Sequence, residues 1–393
     1  MGRKRSNSFR VRIGGYVGGV KLPRAVLALA LVSLLTDVST EMIYPLLPVF
    51  MRDQLGATVF AIGALEGAAE SVSSLLKLVS GWWSDRSRRR KPLVLLGYFL
   101  ASATRPLVGL AATFGQVAVL RLTDRMGKGI RTAPRDALIA DAVAPEVRGR
   151  AFGFHRAADH LGAVIGPLVA LLLMQVYGVS MRTVFLLAAV PAALAMAVLL
   201  FGVKESAPAA RDGNGVAGTS TSPLPLPLPR LRLRGTLRTY LVIVFLFTLG
   251  NSTDAFLLLR ATDAGVPVVL LPVLWSMLHA VKSLASTPSG VLSDRIGRRP
   301  LIVGGWVLYA AVYWAFGHVT AAWEIWGLFA LYGIYFGLTE GVEKALVADL
   351  SSVDERGAAF GWYHLLVGLG ALPASALFGA VWQWRGPAAA FNL

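Results

Sequence analysis

The stretch SGWWSDR at residues 80–86 recurs as SGVLSDR at residues 289–295, an offset of 209 residues. Three shorter matches follow the two copies and share an offset of 208 residues. They are Ala140–Asp141 with Ala348–Asp349, Arg148–Gly149 with Arg356–Gly357, and Ala151–Gly153 with Ala359–Gly361. Matches that keep one register over this distance indicate an internal duplication, so we expect two similar halves arranged as parallel repeats.

The composition around these repeats is typical of a membrane protein. Hydrophobic residues make up 55% of the 393-residue chain, charged residues make up 15%, and the mean hydropathy is +0.61. A soluble domain carries roughly 25% charged residues, and a disordered chain has low hydrophobicity, so both classes are excluded. The apolar runs are too long for barrel strands of about 10 residues and suit helices of about 20 residues. The sequence therefore predicts an all-α membrane protein.

Eleven full membrane spans are predicted. They cover residues 25–50, 57–80, 92–113, 117–140, 152–176, 181–203, 238–260, 266–289, 300–318, 322–348 and 357–381. A twelfth begins near Gly386 and stops at Leu393, which corresponds to Phe185 under the 208-residue offset, so we expect the complete form to have twelve. The predicted domains are a basic N-terminal segment at 1–24, a six-helix bundle at 25–203, a Pro/Gly-rich cytoplasmic linker at 204–237, and a second bundle at 238–393 whose last helix is truncated.

The positive charge indicates how the chain crosses the membrane. The formal net charge is +16, and 24 Lys and Arg residues lie in the N-terminal segment, the linker and alternate connections, against four in the other connections. Cytoplasmic loops carry an excess of Lys and Arg. The sequence therefore predicts a multi-pass protein of the cytoplasmic (inner) membrane with a cytoplasmic N-terminus. Nucleic-acid binding is not expected, because the basic residues flank spans rather than forming one soluble face.

The repeated stretch resembles the loop signature of the major facilitator superfamily, Gly-x3-Asp-Arg-x-Gly-Arg-Arg. The second copy is intact, whereas Arg88 replaces the inner Gly of the first. The matching residues are Gly81, Asp85, Arg86, Arg89, Gly290, Asp294, Arg295, Gly297 and Arg298. The resemblance covers nearly the whole chain and implies two six-helix bundles related by a pseudo-two-fold axis. It also implies that these motifs latch the cytoplasmic ends together, since Gly permits close helix approach and Asp can face a helix N-terminus.

The fifth span carries a second motif of this superfamily. Gly162, Gly166 and Pro167 resemble its antiporter motif, although Ala170 and Leu171 replace the trailing Gly pair. This resemblance to drug/proton antiporters implies export of a small molecule in exchange for protons.

Charged residues inside the spans are the candidate site, because a charge in the bilayer costs roughly 3 kcal/mol or more. In span 117–140, five charges from Arg121 to Arg131 share an arc of roughly 120°, so this stripe must face water or protein. The proton-coupling and cavity candidates are Asp37, Glu41, Glu66, Glu70, Asp124, Asp159, Asp254, Glu340 and Glu343. The basic candidates for the substrate path are Arg105, Arg121, Arg125, Lys128, Arg131, Arg156, Lys282 and Lys344.

Glu41 and Asp254 are the leading carboxylates. Each ends a Ser-Thr-acid triplet, at residues 39–41 and 252–254, and the resemblance places both spans at a central cavity. Arg135 and Asp136 are expected at the cytoplasmic end of their span.

A metal site and an enzyme activity are not predicted. His155, Asp159 and His160 include ligand types that bind divalent metals, but the two His residues are five apart and face different sides of a helix. The chain has no phosphate-binding loop, hydrolase elbow or Cys/His metal spacing. We therefore expect no cofactor.

These observations favour a secondary active transporter that exports a small polar or charged molecule in exchange for protons, as a monomer in the bilayer. Three alternatives stay open: a proton-coupled importer (symporter) of an organic anion or other solute, a divalent-metal exporter, and a non-transporting membrane sensor. The basic stripe suits an organic anion or a zwitterion, whereas the acidic groups suit a cation.

Overall fold

The computed structural model describes residues 16–17, 20–47, 50–57, 59–87, 89–203, 235–252, 254–267 and 270–393. These residues are almost entirely helical, apart from an antiparallel pair formed by β1 (Tyr16–Val17) and β2 (Val20–Lys21). The predicted all-α class is confirmed. Most of the basic N-terminal segment, most of the linker and Arg88 lie outside the described residues.

The described residues of the first half form seven helices. They are α1 (Arg24–Ile43), α2 (Val59–Ser87), α3 (Lys91–Leu107), α4 (Phe114–Asp141), α5 (Arg148–Gln175), α6 (Met181–Leu187) and α7 (Ala189–Gly202). Helices α6 and α7 together fill the sixth predicted span, with Ala188 between them. Short π or 3-10 turns lie at Phe50–Gln54, Val108–Leu110 and Pro145–Val147.

The described residues of the second half also form seven helices. They are α8 (Gly235–Leu249), α9 (Asp254–Asp263), α10 (Leu271–Ile296), α11 (Arg298–His318), α12 (Ala322–Leu350), α13 (Arg356–Arg385) and α14 (Pro387–Phe391). A 3-10 turn at Val353–Glu355 precedes α13, as the turn at Pro145–Val147 precedes α5. The two halves therefore repeat one order of elements.

Two further predicted spans are interrupted. The span predicted at 25–50 contains α1, which ends at Ile43 because Pro45 cannot continue a regular helix. The span predicted at 238–260 is divided between α8 and α9. Here the Asn251 side chain accepts a hydrogen bond from the Ser252 amide (2.7 Å), and such local side-chain bonds compete with helical ones.

Seven helical stretches among the described residues are long and apolar enough to cross a membrane. Helices α2, α4 and α10 have sufficient length but are more polar, and α4 carries the charged stripe. The prediction of eleven full spans therefore stays a prediction. At the predicted twelfth span, α14 places a buried Phe391 against Phe316, with 5.7 Å between ring centroids.

The halves pack against each other through α2 with α13 and through α5 with α10. Phe152 on α5 and Phe360 on α13 correspond to each other under the 208-residue offset, and their ring centroids lie 5.8 Å apart. Equivalent residues of two halves meet only near an axis that relates them. The packing of this pair thus reflects the pseudo-two-fold axis expected for parallel repeats.

Candidate functional site

A cavity of about 700 Å³ lies between the two halves. Among the described residues, the first half supplies eleven of the fourteen Asp, Glu, Lys and Arg residues on its wall. The second half supplies Phe247, Tyr335 and Phe336, which we call the aromatic wall. Pockets of roughly 300–1,000 Å³ bind drug-sized molecules. This cavity therefore suits a small molecule with one charged side and one apolar side.

Most of the sequence-predicted charges line this cavity. The twelve that do are Asp37, Glu41, Asp124, Asp159, Glu340, Glu343, Arg105, Arg125, Lys128, Arg131, Arg156 and Lys344. The five that do not are Glu66, Glu70, Asp254, Arg121 and Lys282.

Asp254, one of the two leading carboxylates, is displaced by the break between α8 and α9. Asn251 and Ser252 line the cavity at this break instead. The Asp254 carboxylate accepts a hydrogen bond from the Tyr332 hydroxyl (2.7 Å) and lies 3.9 Å from the Lys282 amine. Asp254 thus belongs to a polar group outside the cavity lining.

Asp37 and Glu41, which we call the α1 carboxylates, reach the cavity from one face of α1. Both are half-buried, and neither makes a hydrogen bond or an ion pair with another described residue. Helix α5 packs closely behind them, because a Cβ on Gly166 would lie 2.8 Å from the Glu41 Cβ and 2.8 Å from the Val38 carbonyl. A Cβ on Gly162 would likewise lie 2.9 Å from the Asp37 Cβ. The glycines of the antiporter-like motif therefore set the position of both carboxylates.

The N-terminal part of the charged stripe on α4, from Arg121 to Arg125, forms ion pairs. Arg105 on α3 donates to Asp124 (2.9 Å). Arg121 makes two hydrogen bonds of 2.8 Å to the Glu66 carboxylate, and the nearest Arg125 nitrogen lies 3.9 Å from the same group. These charges balance one another, as charges inside a bilayer must.

Lys128 and Arg131, which we call the α4 cations, have no ion pair with a described residue although both line the cavity. Arg131 is only 5% exposed, and its guanidinium lies 4.3 Å from the centre of the Tyr98 ring, a cation–π contact. Its Nε and Nη1 atoms have no hydrogen-bond acceptor among the described residues. An unsatisfied buried donor costs about 1–3 kcal/mol, and more when it is charged, so Arg131 is a candidate ligand-binding group.

A second charged group crosses the interface between the halves. Arg156 on α5 donates to Asp159 (2.6 Å) and also contacts Glu340 on α12. The His160 Nε2 atom lies 3.0 Å from Glu340, and its Nδ1 atom lies 3.4 Å from Nδ1 of His279 on α10. This group ties the middle of α5 to α10 and α12.

The sequence places Arg135 and Asp136 near the cytoplasmic end of their span, and the structure buries both at the interface between the halves. Asp136 is completely buried and accepts from Arg135 (3.0 Å), Lys344 (2.9 Å) and His364 (2.9 Å). Both residues lie in the last two turns of α4, which ends at Asp141. Near Lys344, the Glu343 carboxylate accepts from Trp306 (3.0 Å) and Tyr363 (2.7 Å) rather than from a cation.

One end of the molecule is held by the repeated loop motif. Asp85, near the end of α2, accepts hydrogen bonds from the backbone amides of Gly357 (2.9 Å) and Ala358 (2.7 Å) in the first turn of α13. A Cβ on Gly81 would collide with the carbonyl group of Gly357, so this close approach requires Gly. A carboxylate at a helix N-terminus satisfies free N–H groups and interacts favourably with the helix dipole.

The second motif repeats this geometry in the other direction. Asp294, near the end of α10, accepts from the backbone amides of Gly149 and Arg150 (both 2.9 Å) in the first turn of α5. A Cβ on Gly290 would collide with the Gly149 carbonyl. Each half thus presents an acidic helix end to a helix N-terminus of the other half. We call these two contacts the inter-half latch.

Crossed ion pairs surround the inter-half latch. Arg148 of the first half donates to Asp349 of the second (2.6 Å), and Arg356 of the second contacts Asp141 of the first. The two Asp residues correspond under the 208-residue offset, and so do the two Arg residues. Both pairs therefore obey the pseudo-two-fold axis.

The arginines of the loop motif contribute unequally. Arg298 contacts Asp294 and also lies 3.2 Å from Asp349. In the first copy, Arg90 contacts Asp85 (3.2 Å), whereas Arg86, Arg89 and Arg295 are exposed. Arg89 is the position equivalent to Arg298, yet Arg90 makes the contact with Asp85. The segments that connect the two helices of each motif differ in length and explain this shift by one residue. Gly297 alone, with φ +94°, joins α10 to α11, whereas three residues separate α2 from α3.

The site also contains residues that the sequence did not indicate as site residues. They are Lys77, Arg135, His279, His364 and the aromatic wall, which line the cavity, and Asp136, which pairs with the lining residues Arg135 and Lys344. An alignment of the two halves of the sequence could have indicated one of these residues, because Asp136 and Lys344 occupy equivalent positions and carry opposite charges. As for metals, no group of three His, Asp or Glu side chains among the described residues is placed to hold an ion.

Two similar helical halves around a polar cavity define a membrane transport protein. The family model of the Major Facilitator Superfamily matches residues 29–281 and 273–391. The chain belongs to this superfamily, whose members are multi-pass transporters of small molecules rather than enzymes.

Relatives and a solved structure agree with this assignment. An MFS-type transporter of Methanocaldococcus jannaschii is 34% identical over 369 residues, which cover 92% of this chain and 89% of the relative. A protein of Mycobacterium tuberculosis H37Rv is 30% identical over 378 residues, 95% of this chain and 89% of the relative. The multidrug resistance protein MdtH of Escherichia coli matches 133 residues at 28% identity, 34% of this chain and 33% of MdtH. The crystal structure of the human organic anion transporter MFSD10 (TETRAN) superposes with a TM-score of 0.73 at 18% identity, covering 94% of this chain and 96% of that one, and supports the fold alone.

Proposed function

We propose that the protein exports a small charged molecule in exchange for protons, by alternating access of the cavity. The observation that carries the proposal is the pair of α1 carboxylates on the cavity wall, which have no ion-pair partner among the described residues. A carboxylate without a fixed cation can hold either a proton or a positively charged group of a substrate. Competition of two ligands for one site is what an exchange mechanism requires, because each ligand displaces the other.

The charges that face the α1 carboxylates keep this competition possible. Asp37 is faced by Glu41 on its own helix, by Asp159 on α5, and by the α4 cations. Glu41 is faced by Arg105, Arg121, Arg125 and Lys128. These cations favour the ionised form, whereas burial favours the protonated form. A movement of the halves that changes either influence would bind or release a proton.

The direction of transport rests on orientation. If the positively charged loops are cytoplasmic, the inter-half latch closes the cytoplasmic side and the cavity faces outward in this state. Protons from outside would then load the α1 carboxylates, and substrate would enter after the latch opens. The partial similarity to a multidrug resistance protein supports export.

The test measures the sign of proton movement in proteoliposomes. The purified full chain is reconstituted in vesicles that contain a pH-sensitive dye, and ethidium, benzenesulfonate, tryptophan or Mn²⁺ is added outside as a cation, an anion, a zwitterion or a metal. Exchange predicts that the lumen becomes more alkaline with one of these solutes, whichever way the protein is inserted. Lumenal acidification would instead show cotransport, and uptake of solute with no pH change would refute proton coupling.

Matched variants locate the proton site. The double variant Asp37→Asn/Glu41→Gln should abolish the solute-triggered pH change, because it removes both α1 carboxylates. Asp263→Asn, an exposed carboxylate at the end of α9, should leave the signal unchanged. A full signal in the double variant would show that protons bind elsewhere.

A further inference from the structure

We infer that the substrate is a zwitterion with a flat apolar body, which bridges the α1 carboxylates and the α4 cations while its body lies against the aromatic wall. This inference rests on the proposed function, since it names the substrate class of the same cavity.

The first step is the pairing of charges on the cavity wall. Ten of its fourteen described charged residues have a partner. Nine of them form ion pairs: Lys77 with Glu70, Arg105 with Asp124, Arg125 with Glu66, Arg135 and Lys344 with Asp136, and Arg156 with Asp159 and Glu340. The tenth, Glu343, accepts hydrogen bonds from Trp306 and Tyr363. The remaining four are the α1 carboxylates and the α4 cations. Among the described residues, no nitrogen–oxygen distance of 4.0 Å or less joins these two pairs.

The second step is their number and sign. Two unpaired acids and two unpaired bases together are electrically neutral, so a singly charged solute would satisfy one pair and leave the other unpaired. Leaving one partner of a buried charge pair uncompensated is strongly unfavourable. A zwitterion satisfies both pairs at once and adds no net charge to the cavity.

The third step is geometry. Asp37 and Glu41 are four residues apart and Lys128 and Arg131 are three apart, so each pair lies on one face of its helix. Both pairs belong to the first half, whereas the aromatic wall belongs to the second. Phe247 stacks on Trp306 with 4.4 Å between ring centroids, which holds it in place. A molecule with two charged groups at one side and a flat apolar body at the other would contact all three surfaces.

The fourth step links this substrate to protons. A proton on either α1 carboxylate removes one of the two negative charges that attract the cationic group, while the α4 cations are unaffected. Protonation therefore weakens binding of the zwitterion without removing its anionic contact. Acid should release the substrate, which is the linkage that proton exchange needs.

The test compares solutes that share one ring system. Binding of tryptophan, indole-3-propionate and tryptamine to the purified full chain is measured by calorimetry, and so is binding of the larger trio biphenylalanine, biphenylpropionate and biphenylethylamine. In at least one trio the zwitterion should bind at least about tenfold more tightly than either singly charged analogue, which corresponds to a difference in binding free energy of about 1.4 kcal/mol. The inference would be overturned if, in both trios, the amine or the acid bound as tightly as the zwitterion, or if neither zwitterion bound.

Variants then assign each charged group. Lys128→Gln should weaken the zwitterion and the acid but leave the amine unchanged, and Asp37→Asn should weaken the zwitterion and the amine but leave the acid unchanged. Arg385→Gln, at an exposed residue at the end of α13, serves as the control. Lys128→Arg and Asp37→Glu should restore binding, which a variant that had merely lost its fold would not allow.

The inference and the proposed function can fail separately. If protons are exchanged for a singly charged solute, the zwitterion inference is wrong and the proposed function stands. If tryptophan binds as expected but moves no protons in proteoliposomes, the substrate class stands and proton exchange is wrong.

Discussion

Asp136 and Lys344 occupy equivalent positions in the two halves and pair with each other at 2.9 Å. Their charges are opposite, so the two halves have diverged at a place where two identical charged residues would repel each other. Asp136 is completely buried and receives three nitrogen donors. A buried carboxylate is tolerated when its lone pairs are satisfied in this way.

A double-mutant cycle measures this central pair. Asp136→Asn should destabilise the protein by about 3–5 kcal/mol, because Arg135 and Lys344 become buried cations without a full counter-charge. Adding Lys344→Met removes one of these cations and should recover at least about 1 kcal/mol. The readout is the unfolding free energy from denaturant titration in mixed micelles, and strictly additive losses would show that the two residues do not interact.

Sequence reasoning located the charged residues but could not pair them. The stripe from Arg121 to Arg131 follows from helical periodicity alone, and so does its need for a polar environment. Arg121 pairs with Glu66, whereas Lys128 has no ion pair within the part of the chain that the structure describes, and this difference depends on which helices are neighbours and on side-chain rotamers. Asp254 shows the same limit, because one helix break moved it out of the cavity lining.

The contact of α1 with α5 depends on small residues at the element scale. Gly162 and Gly166 let the two backbones approach, and this approach holds the α1 carboxylates at the cavity wall. The sequence indicated the motif by resemblance, but its partner helix is visible only in the structure. What the motif does here is therefore a packing role that positions charged groups.

Gly166→Ala tests this packing. Its Cβ would lie 2.8 Å from the Val38 carbonyl, so α5 must shift away from α1. Overpacking of this kind costs typically about 1–3 kcal/mol, and solute-triggered proton movement should fall as well. Gly304→Ala on α11 is the matched control, because no atom lies within 4 Å of its added Cβ. Equal unfolding midpoints for the two variants would contradict the proposed role of Gly166.

Helix ends explain where sequence-based boundaries failed. The break between α8 and α9 contains no Pro, and at this break the Asn251 side chain accepts hydrogen bonds from the Ser252 amide and the Tyr309 hydroxyl. The end of α1 is visible in the sequence as Pro45. Apolar composition predicts that a span exists, whereas local hydrogen bonding decides whether it is continuous.

At the scale of the whole molecule, the two halves share one architecture but contribute different chemistry. The duplication was visible in the sequence, and it predicted the repeated loop contacts and the parallel arrangement. It did not predict that the first half would supply nearly all the charge of the cavity and the second its aromatic wall. That division arises because Lys128 and Arg131 correspond to Phe336 and Thr339 in the second half.

The inter-half latch provides the most direct test of alternating access. The chain has no Cys, so spin labels can be placed at Arg86 and Arg295 on the latch side and at Tyr177 and Trp323 on the opposite side, all four exposed. The double variant Asp85→Asn/Asp294→Asn removes both carboxylates that cap helix N-termini in the inter-half latch. Each cap contributes about 1 kcal/mol to the stability of the latched state. Electron–electron double resonance should then show the Arg86–Arg295 distance increasing while the Tyr177–Trp323 distance decreases. Unchanged distances, or an increase of both, would contradict a transporter that opens its cavity to the two sides in turn.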